Sequence, residues 1–127
     1  MSAVDQTILH AERECGNCLQ ASLASILDWP LEAVPHFALL GENHWWDCLV
    51  AWLDAQGFWL DYRADSFGSM GGVVLPRCLL SGPSPRGFSH AVVGDTITGD
   101  MLHDPHPSRA GLVSVAYRAY LFRQTSP

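Results

Sequence analysis

A short turn that runs directly into an amphipathic helix, with a cysteine at the join, is the feature that most constrains this chain. Apolar residues recur there at the spacing of a helix with one buried face: Leu19, Leu23, Ile26 and Leu27. Gly16 and Asn17 supply the turn, and asparagine is a favoured N-cap. Cys18 is therefore predicted to open a helix that ends at about Asp28, since the residue before Pro30 avoids helical geometry.

The predicted place of Cys18 favours a reactive thiol. The unpaired amides and the macrodipole at a helix N-terminus stabilise an anion, which lowers the pKa of a thiol placed there. Cysteine is also among the residues most often buried for packing alone. Cys18 therefore predicts a nucleophile only if the chain also supplies a base.

Two residues in the second half of the chain are candidates for the base and its partner. His90 begins an apolar strand directly after a Gly- and Pro-rich loop, which predicts a place at the mouth of a sheet. Asp104 follows fourteen residues later, on the return strand of a predicted hairpin, so the two side chains can meet. His103 and Asp104 alternate along that strand, so only one of them should face His90. A carboxylate beside a histidine fixes its tautomer and stabilises the imidazolium.

The rest of the chain predicts a second helix and a series of strands. Residues 44–56 form the helix, with a Trp- and Leu-rich core face, and Gly57 follows as its C′ residue. Strands are predicted at 58–62, 73–76, 78–81, 89–94 and 101–104, and residues 113–122 are predicted to form one long or two short final strands. Pro76 marks either an edge strand or an interruption. Helices followed by antiparallel strands predict one α+β domain over residues 1–127, with N-terminal helices packed on a C-terminal antiparallel β-sheet.

Composition and charge exclude several functional classes. A net charge of −6 gives no support for nucleic-acid binding, and no apolar run approaches the length that spans a bilayer. The polar, acidic N-terminal stretch lacks the pattern of a signal peptide and predicts a cytoplasmic protein. In a reducing compartment the four cysteines are expected to be free thiols, with Cys48 and Cys78 packed as small hydrophobes.

Two segments resemble a known group of enzymes. Cys15-Gly16-Asn17-Cys18-Leu19 resembles the Cys-Gly-x-Cys-aromatic opening of the nucleophile helix in papain-like cysteine peptidases. The segment from His90-Ala91-Val92-Val93 to His103-Asp104-Pro105 resembles the His-x-Val-Val … Asp-Pro hairpin of the C39-like branch of that clan. Cysteine, histidine and aspartate also occur in the chain order of the clan. The resemblance covers roughly residues 6–28 and 84–112.

The resemblance implies a papain-like fold and a cysteine peptidase or amidase that needs no cofactor and no metal. Its substrate would be a peptide or protein, with no nucleic acid or membrane as a partner. Cys18 would attack the amide carbonyl and form a thioester, and His90 would activate the thiol and protonate the leaving amine. Asp104 would orient His90. The C39-like peptidases that trim leader peptides are fused to transporters. Leader peptides are therefore not inferred as the substrate of this chain.

Two positions depart from the family pattern. Papain-like enzymes complete the oxyanion hole with a glutamine six residues before the nucleophile, where this chain has Glu12. Gln6 is the nearest upstream glutamine and is the candidate oxyanion residue, together with the backbone amide of Cys18. The C39-like pattern places the nucleophile directly before glycine, which here is Cys15. Papain-like spacing and the helix terminus favour Cys18.

Two glycine-rich loops, 66–72 and 82–88, are predicted to form substrate walls, because glycine lets a backbone approach closely. Arg86 in the second loop is a candidate contact for an acidic substrate. A solvated surface arginine is the simpler interpretation of that residue.

Several interpretations stay open. The same fold could serve as a catalytically inactive binding module, which Glu12 favours, or as an acyltransferase with an amine acceptor. A zinc site at Cys15 and Cys18 lacks a second Cys-x-x-Cys pair. A thioredoxin-like redox site lacks the preceding strand and gives His90 no role. Taken singly, His90 and Asp104 are equally well explained as a strand-end histidine and a turn residue.

Overall fold

The computed structural model describes residues 3–7, 17–37, 44–61 and 72–124. Within these ranges two α-helices and a short 3-10 turn precede five strands. The elements are α1 Cys18–Leu27, the 3-10 turn Leu31–Ala33, α2 Trp45–Ala55, β1 Phe58–Asp61, β2 Gly72–Pro83, β3 Ser89–Asp95, β4 Met101–His103 and β5 Tyr117–Gln124. The strands form one sheet in the order β1-β5-β2-β3-β4, and each pair of neighbours is antiparallel. The predicted α+β class, with helices before an antiparallel sheet, is confirmed.

Helix α1 begins and ends as the sequence predicts. Asn17 is its N-cap residue and accepts the first helical hydrogen bond at its carbonyl, from the amide of Ala21. The Asn17 side chain does not cap the helix but hydrogen-bonds Thr7 and Gln20. The helix packs on β3, where the hydroxyl of Ser22 donates to the carbonyl of Ala91 at 3.2 Å. This contact places the start of α1 beside the start of β3.

Helix α2 presents the predicted face to the core. Leu49 and Leu53 are fully buried, and Trp45 and Trp52 pack against the same cluster. Gly57 follows with φ +90°, a conformation that glycine adopts without strain. His44 is the N-cap residue of α2. The sequence proposes Asn43 or Glu42 as the residue that opens this helix, and both lie outside the described ranges.

The two strands predicted on either side of Pro76, at 73–76 and 78–81, form the single strand β2, so the predicted break in the strand is wrong. The pairing of β2 with β5 does shift register between Val74 and Cys78, so the hydrogen-bonded ladder is irregular at the proline. Strand β2 nevertheless lies inside the sheet, between β5 and β3, and is not an edge strand. The irregular pairing removes the need for an amide proton at Pro76, which lets a proline occupy a central strand.

The final strand is shorter than predicted at its start. Strand β5 begins at Tyr117, and residues 113–116 follow the end of β2 without regular pairing. The amide of Val113 donates to the carbonyl of Pro83 and the amide of Ala116 to that of Ser81, each at 2.8 Å. A Cβ on Gly82 would overlap the carbonyl oxygen of Ser114, so only glycine permits this approach. Gly82 pairs with His90 on β3, and the segment therefore lies beside the candidate site.

Cys18, Cys48 and Cys78 are free thiols. Cys78 is fully buried, as predicted for a small hydrophobe. The same prediction is wrong for Cys48, which is exposed because α2 directs Leu49 and Leu53 inward. In the described ranges, neither helix has the length and apolar character needed to cross a lipid bilayer.

Candidate active site

The β3–β4 hairpin brings His90 and Asp104 together. Nε2 of His90 lies 2.6 Å from Oδ1 of Asp104, and the two side chains are 4% and 0% exposed. The hairpin turn is closed by a hydrogen bond from the amide of Asp95 to the carbonyl of Asp100. The predicted contact between the histidine and the carboxylate is therefore present.

Asp104 is held as a carboxylate by three donors. In addition to His90, the amide of His106 donates to Oδ1 at 2.9 Å and the amide of Gly111 donates to Oδ2 at 2.7 Å. Burial opposes ionisation, but these hydrogen bonds outweigh it and lower the pKa of Asp104 below its ordinary value. An ionised carboxylate only accepts hydrogen bonds, so Nε2 of His90 carries the proton and Nδ1 of the neutral ring is a base.

His103 faces away from this pair, as the alternation along the strand predicts. Its Nε2 lies 3.0 Å from the carbonyl of Val4 and 3.2 Å from Oδ1 of Asp5. Asp104 alone therefore meets His90, and His103 holds the N-terminal segment instead.

Cys18 lies at the first position of α1, next to β3. The backbone amide of Ala91 faces its thiol, and Ser22, one turn further along the helix, bonds the carbonyl of the same residue. The sulfur is therefore beside the peptide unit that directly follows His90. The described residues include no hydrogen bond between Cys18 and His90, and Nδ1 of His90 is not engaged by another group among them.

The predicted lowering of the Cys18 pKa is wrong. Burial raises the pKa of the thiol above its ordinary value. The backbone amides of Ala91, Leu19 and Cys18 itself act in the opposite direction, as the helix-terminus argument expects, and the negative charge of Asp104 adds to the rise. Desolvation exceeds the effect of the amide dipoles, so the thiol is neutral near pH 7 and requires a base to become a nucleophile.

The N-terminal segment 3–7 connects the two halves of the site and carries Gln6. The amide of Thr7 donates to Oδ1 of Asn17 at 2.9 Å, immediately before Cys18. The amide of Gln6 donates to the carbonyl of Pro105 at 3.1 Å, immediately after Asp104. Gln6 is buried, with 9% exposure, between these two anchors. The backbone of Gln6 is therefore held between the segment that precedes Cys18 and the segment that follows Asp104.

An arginine that sequence patterns do not indicate fixes this segment. Arg109 forms a bidentate ion pair with Asp5, at 2.6 and 2.9 Å, and also donates to the backbone carbonyl of Asp104. Its backbone is left-handed, with φ +53°, which is uncommon for a residue with a side chain. No local periodicity or motif marks Arg109, because its partner is 104 positions away in the chain.

Cys15, Glu12 and most of the 66–72 loop lie outside the described residues. Within the part of the chain that is described, no group of three or more His, Cys, Asp or Glu side chains could hold a metal ion. No protein-family model, curated protein or solved structure matches this chain. The chemistry of the site therefore rests on its own geometry.

The three described thiols are expected to alkylate in the order Cys48, Cys18, Cys78. Cys48 is exposed, Cys18 is partly exposed and Cys78 is buried. Burial raises the pKa of both Cys18 and Cys78, that of Cys78 to about 11. Labelling of Cys18 by iodoacetamide should therefore be slow near pH 7 and rise steeply towards alkaline pH. Peptide mapping over a pH series measures this in the wild type and in Cys48→Ser, which removes the competing thiol. Rapid labelling of Cys18 near pH 7 that His90→Ala slows would show an ion pair and contradict the raised pKa.

Proposed function

We propose that this chain is a papain-like cysteine hydrolase, similar to the C39-like peptidases, that cleaves an amide bond in a peptide or protein. The observation that carries the proposal is the buried His90–Asp104 pair, with a thiol at a helix N-terminus beside the next residue of β3. A nucleophile, a base and a group that orients the base are the elements that such a reaction needs.

In the first half of the proposed reaction, Cys18 Sγ forms a bond to the carbonyl carbon while its proton passes to Nδ1 of His90. Asp104 holds the Nε2 proton and stabilises the imidazolium. Because the pKa of the Cys18 thiol is raised, the thiol is neutral in the free protein. The thiol therefore loses its proton to His90 in the same step in which its sulfur attacks the carbonyl carbon.

The tetrahedral intermediate places a negative charge on the former carbonyl oxygen. The backbone amide of Cys18 at the N-terminus of α1 and the side chain of Gln6 are the proposed donors to that oxygen. When the C–N bond breaks, His90 returns its proton to the leaving amine, and a thioester remains on Cys18. Water, deprotonated by His90, then attacks the thioester, releases the carboxylic acid and restores the thiol.

A second candidate is a binding module on the same fold that performs no chemistry. It is favoured by the neutral thiol of Cys18 and by the missing hydrogen bond from that thiol to His90 among the described residues. The buried Asp104 argues against it, because a binding module has no need of an ionised carboxylate aligned with a histidine.

Acylation by an activated ester separates these candidates without knowledge of the natural substrate. After brief incubation with p-nitrophenyl acetate, intact-mass and peptide mapping should place one acetyl group on Cys18. The acetyl group should be absent from Cys18→Ala and strongly reduced in His90→Gln. Cys48→Ser is the matched control and should acylate like the wild type. Acylation that is equal in His90→Gln, or confined to Cys48, would reject the hydrolase.

A further inference from the structure

We infer that Arg86, Ser108 and His106 form a subsite for a carboxylate on the leaving side of the substrate, so that the preferred substrate carries a carboxylate just after the scissile bond. The inference rests on the proposed hydrolase. It names the substrate class, which the geometry of Cys18, His90 and Asp104 leaves undefined.

A tight turn holds Arg86 in place. The amide of Ser84 donates to the carbonyl of Phe88 at 2.8 Å, and the amide of Gly87 donates to the carbonyl of Ser84 at 3.0 Å. Gly87 has φ +89°, which closes the turn. Arg86 is half-buried on this turn, and its Nη1 donates to Oγ of Ser108 at 3.1 Å. This contact lies at the surface, as the sequence favours, and it gives the guanidinium a fixed partner.

Ser108 links Arg86 to His106, because its hydroxyl contacts both side chains. Nδ1 of His106 lies 2.9 Å from Oγ of Ser108 and accepts the amide proton of the same residue at 3.0 Å. Because Nδ1 accepts, the neutral ring carries its proton on Nε2 and is a donor there. Burial, together with the positive charge of Arg86, lowers the pKa of His106 and keeps the ring neutral near pH 7. The subsite thus combines a cation with a neutral N–H donor.

The contacts of His106 place the subsite next to His90. The two rings pack edge to face with centroids 6.1 Å apart. The amide of His106 and Nε2 of His90 share Oδ1 of Asp104, so His106 lies on the Nε2 side of His90 and not on the Nδ1 side that a nucleophile needs. His90 must protonate the leaving nitrogen, so the leaving part of the substrate lies against the ring of His90. The substrate segment that continues past this ring towards Arg86 is therefore the leaving part.

The charge on Arg86 indicates a carboxylate. The chain has a net charge of −6, yet the only hydrogen bond of Arg86 among the described residues goes to a hydroxyl. Arg109, by contrast, is paired with Asp5. The remaining guanidinium N–H groups of Arg86 are available in the fork geometry that binds a carboxylate in a bidentate manner. The rings of His90 and His106 are 6.1 Å apart, and a residue of extended chain spans about 3.5 Å, so we place the carboxylate one or two residues after the scissile bond.

Matched peptide pools test the inference. The first pool is N-acetylated tetrapeptides with a free C-terminal carboxylate, and the second is the same pool with a C-terminal amide. A second pair of pools consists of amidated hexapeptides with either Asp or Asn fixed at the fourth position, which distinguishes a side-chain carboxylate from a terminal one. Products are sequenced by mass spectrometry. The wild type should cleave one or two residues before the carboxylate about 10- to 100-fold faster than in the neutral counterpart, as expected for a charge-assisted bidentate contact.

Arg86→Gln should abolish the preference for carboxylate-bearing peptides by raising their KM with little change in kcat. The contact between Arg86 and the carboxylate exists in both the bound substrate and the transition state, so its loss weakens binding in both. Arg123→Gln, at an exposed arginine on β5, is the matched control and should retain the preference. Ser108→Ala should weaken it by releasing Arg86. Equal cleavage of acidic and neutral pools, or a preference that survives Arg86→Gln, would overturn the subsite while leaving the hydrolase intact.

A binding measurement separates failure of the subsite from failure of the hydrolase. N-acetylglycine and N-acetylglycinamide are titrated into Cys18→Ala while the ring signals of His106 are followed by NMR. The acid should shift these signals and the amide should not, and Arg86→Gln should remove the difference. If the acid binds selectively in this titration but the wild type cleaves none of the peptides, the subsite is supported and the hydrolase is rejected. If neither selective binding nor cleavage is seen, both proposals are rejected.

Discussion

Cys18→Ala is expected to abolish amide hydrolysis, and His90→Ala added to it is expected to cost almost nothing further. Residues that act as one unit in catalysis are strongly non-additive, because the base has no function once the nucleophile is gone. Initial rates on the carboxylate-bearing peptide pool, measured for both single variants and the double variant, test this. The initial rate of each variant should fall to the same residual value, which depends only on oxyanion stabilisation and substrate binding.

Two matched variants make this expectation specific for Cys18. Cys48→Ser should be fully active, since Cys48 is an exposed thiol on α2 outside the site. Cys15→Ala should also be nearly silent, because this residue precedes the helix and its dipole in the sequence. Activity that survives in Cys18→Ala but is lost in Cys15→Ala would move the nucleophile to the C39-like position. Activity that survives in both would show that the protein is not a cysteine enzyme.

The parts of the site that sequence could predict depend on local patterns. The 3.6-residue period and the turn at Asn17 define α1, and therefore place Cys18 at its start. The two-residue alternation of a hairpin predicts that only one of His103 and Asp104 faces His90, and in the structure Asp104 contacts His90 while His103 contacts the N-terminal segment. Each of these features is determined within a span of about fifteen residues, which is the range over which periodicity is informative.

The parts that sequence could not predict depend on distant contacts. Arg109 binds Asp5, which lies 104 positions away in the chain. No sequence pattern near either residue indicates this contact. The pKa of Cys18 is set by a balance between helix dipoles and desolvation, and the second of these exists only when α1 is packed on β3. Pro76 lies in a central strand because β2 carries extra, unpaired residues opposite β5 there, and this irregularity depends on pairing between segments that are far apart in the chain.

Asp104→Ala is expected to reduce both activity and stability. Its carboxylate is fully buried and accepts three hydrogen bonds. Removing one partner of a buried, hydrogen-bonded pair costs about 3 to 5 kcal/mol, a large share of the roughly 5 to 15 kcal/mol that stabilises a domain. Turnover should fall by roughly 10³- to 10⁴-fold yet exceed that of Cys18→Ala, because Asp104 orients the base and does not react.

Asp104→Asn separates the charge of this residue from its shape. The pKa of Asp104 is lower in the folded protein than its ordinary value of 3.8, so the ionised carboxylate stabilises the fold above that value. This stabilisation is lost as the pH falls through the folded pKa. Asp5 and Asp95, whose pKa values are also lowered, keep their pH dependence in both proteins. The difference in free energy of unfolding between wild type and Asp104→Asn, from urea denaturation between about pH 3 and pH 7, therefore isolates Asp104. The difference should shrink as the solution becomes acidic. Parallel curves would show that folding leaves the pKa of Asp104 unchanged, and a difference that grows towards acidic pH would show that the carboxyl group is protonated in the folded protein.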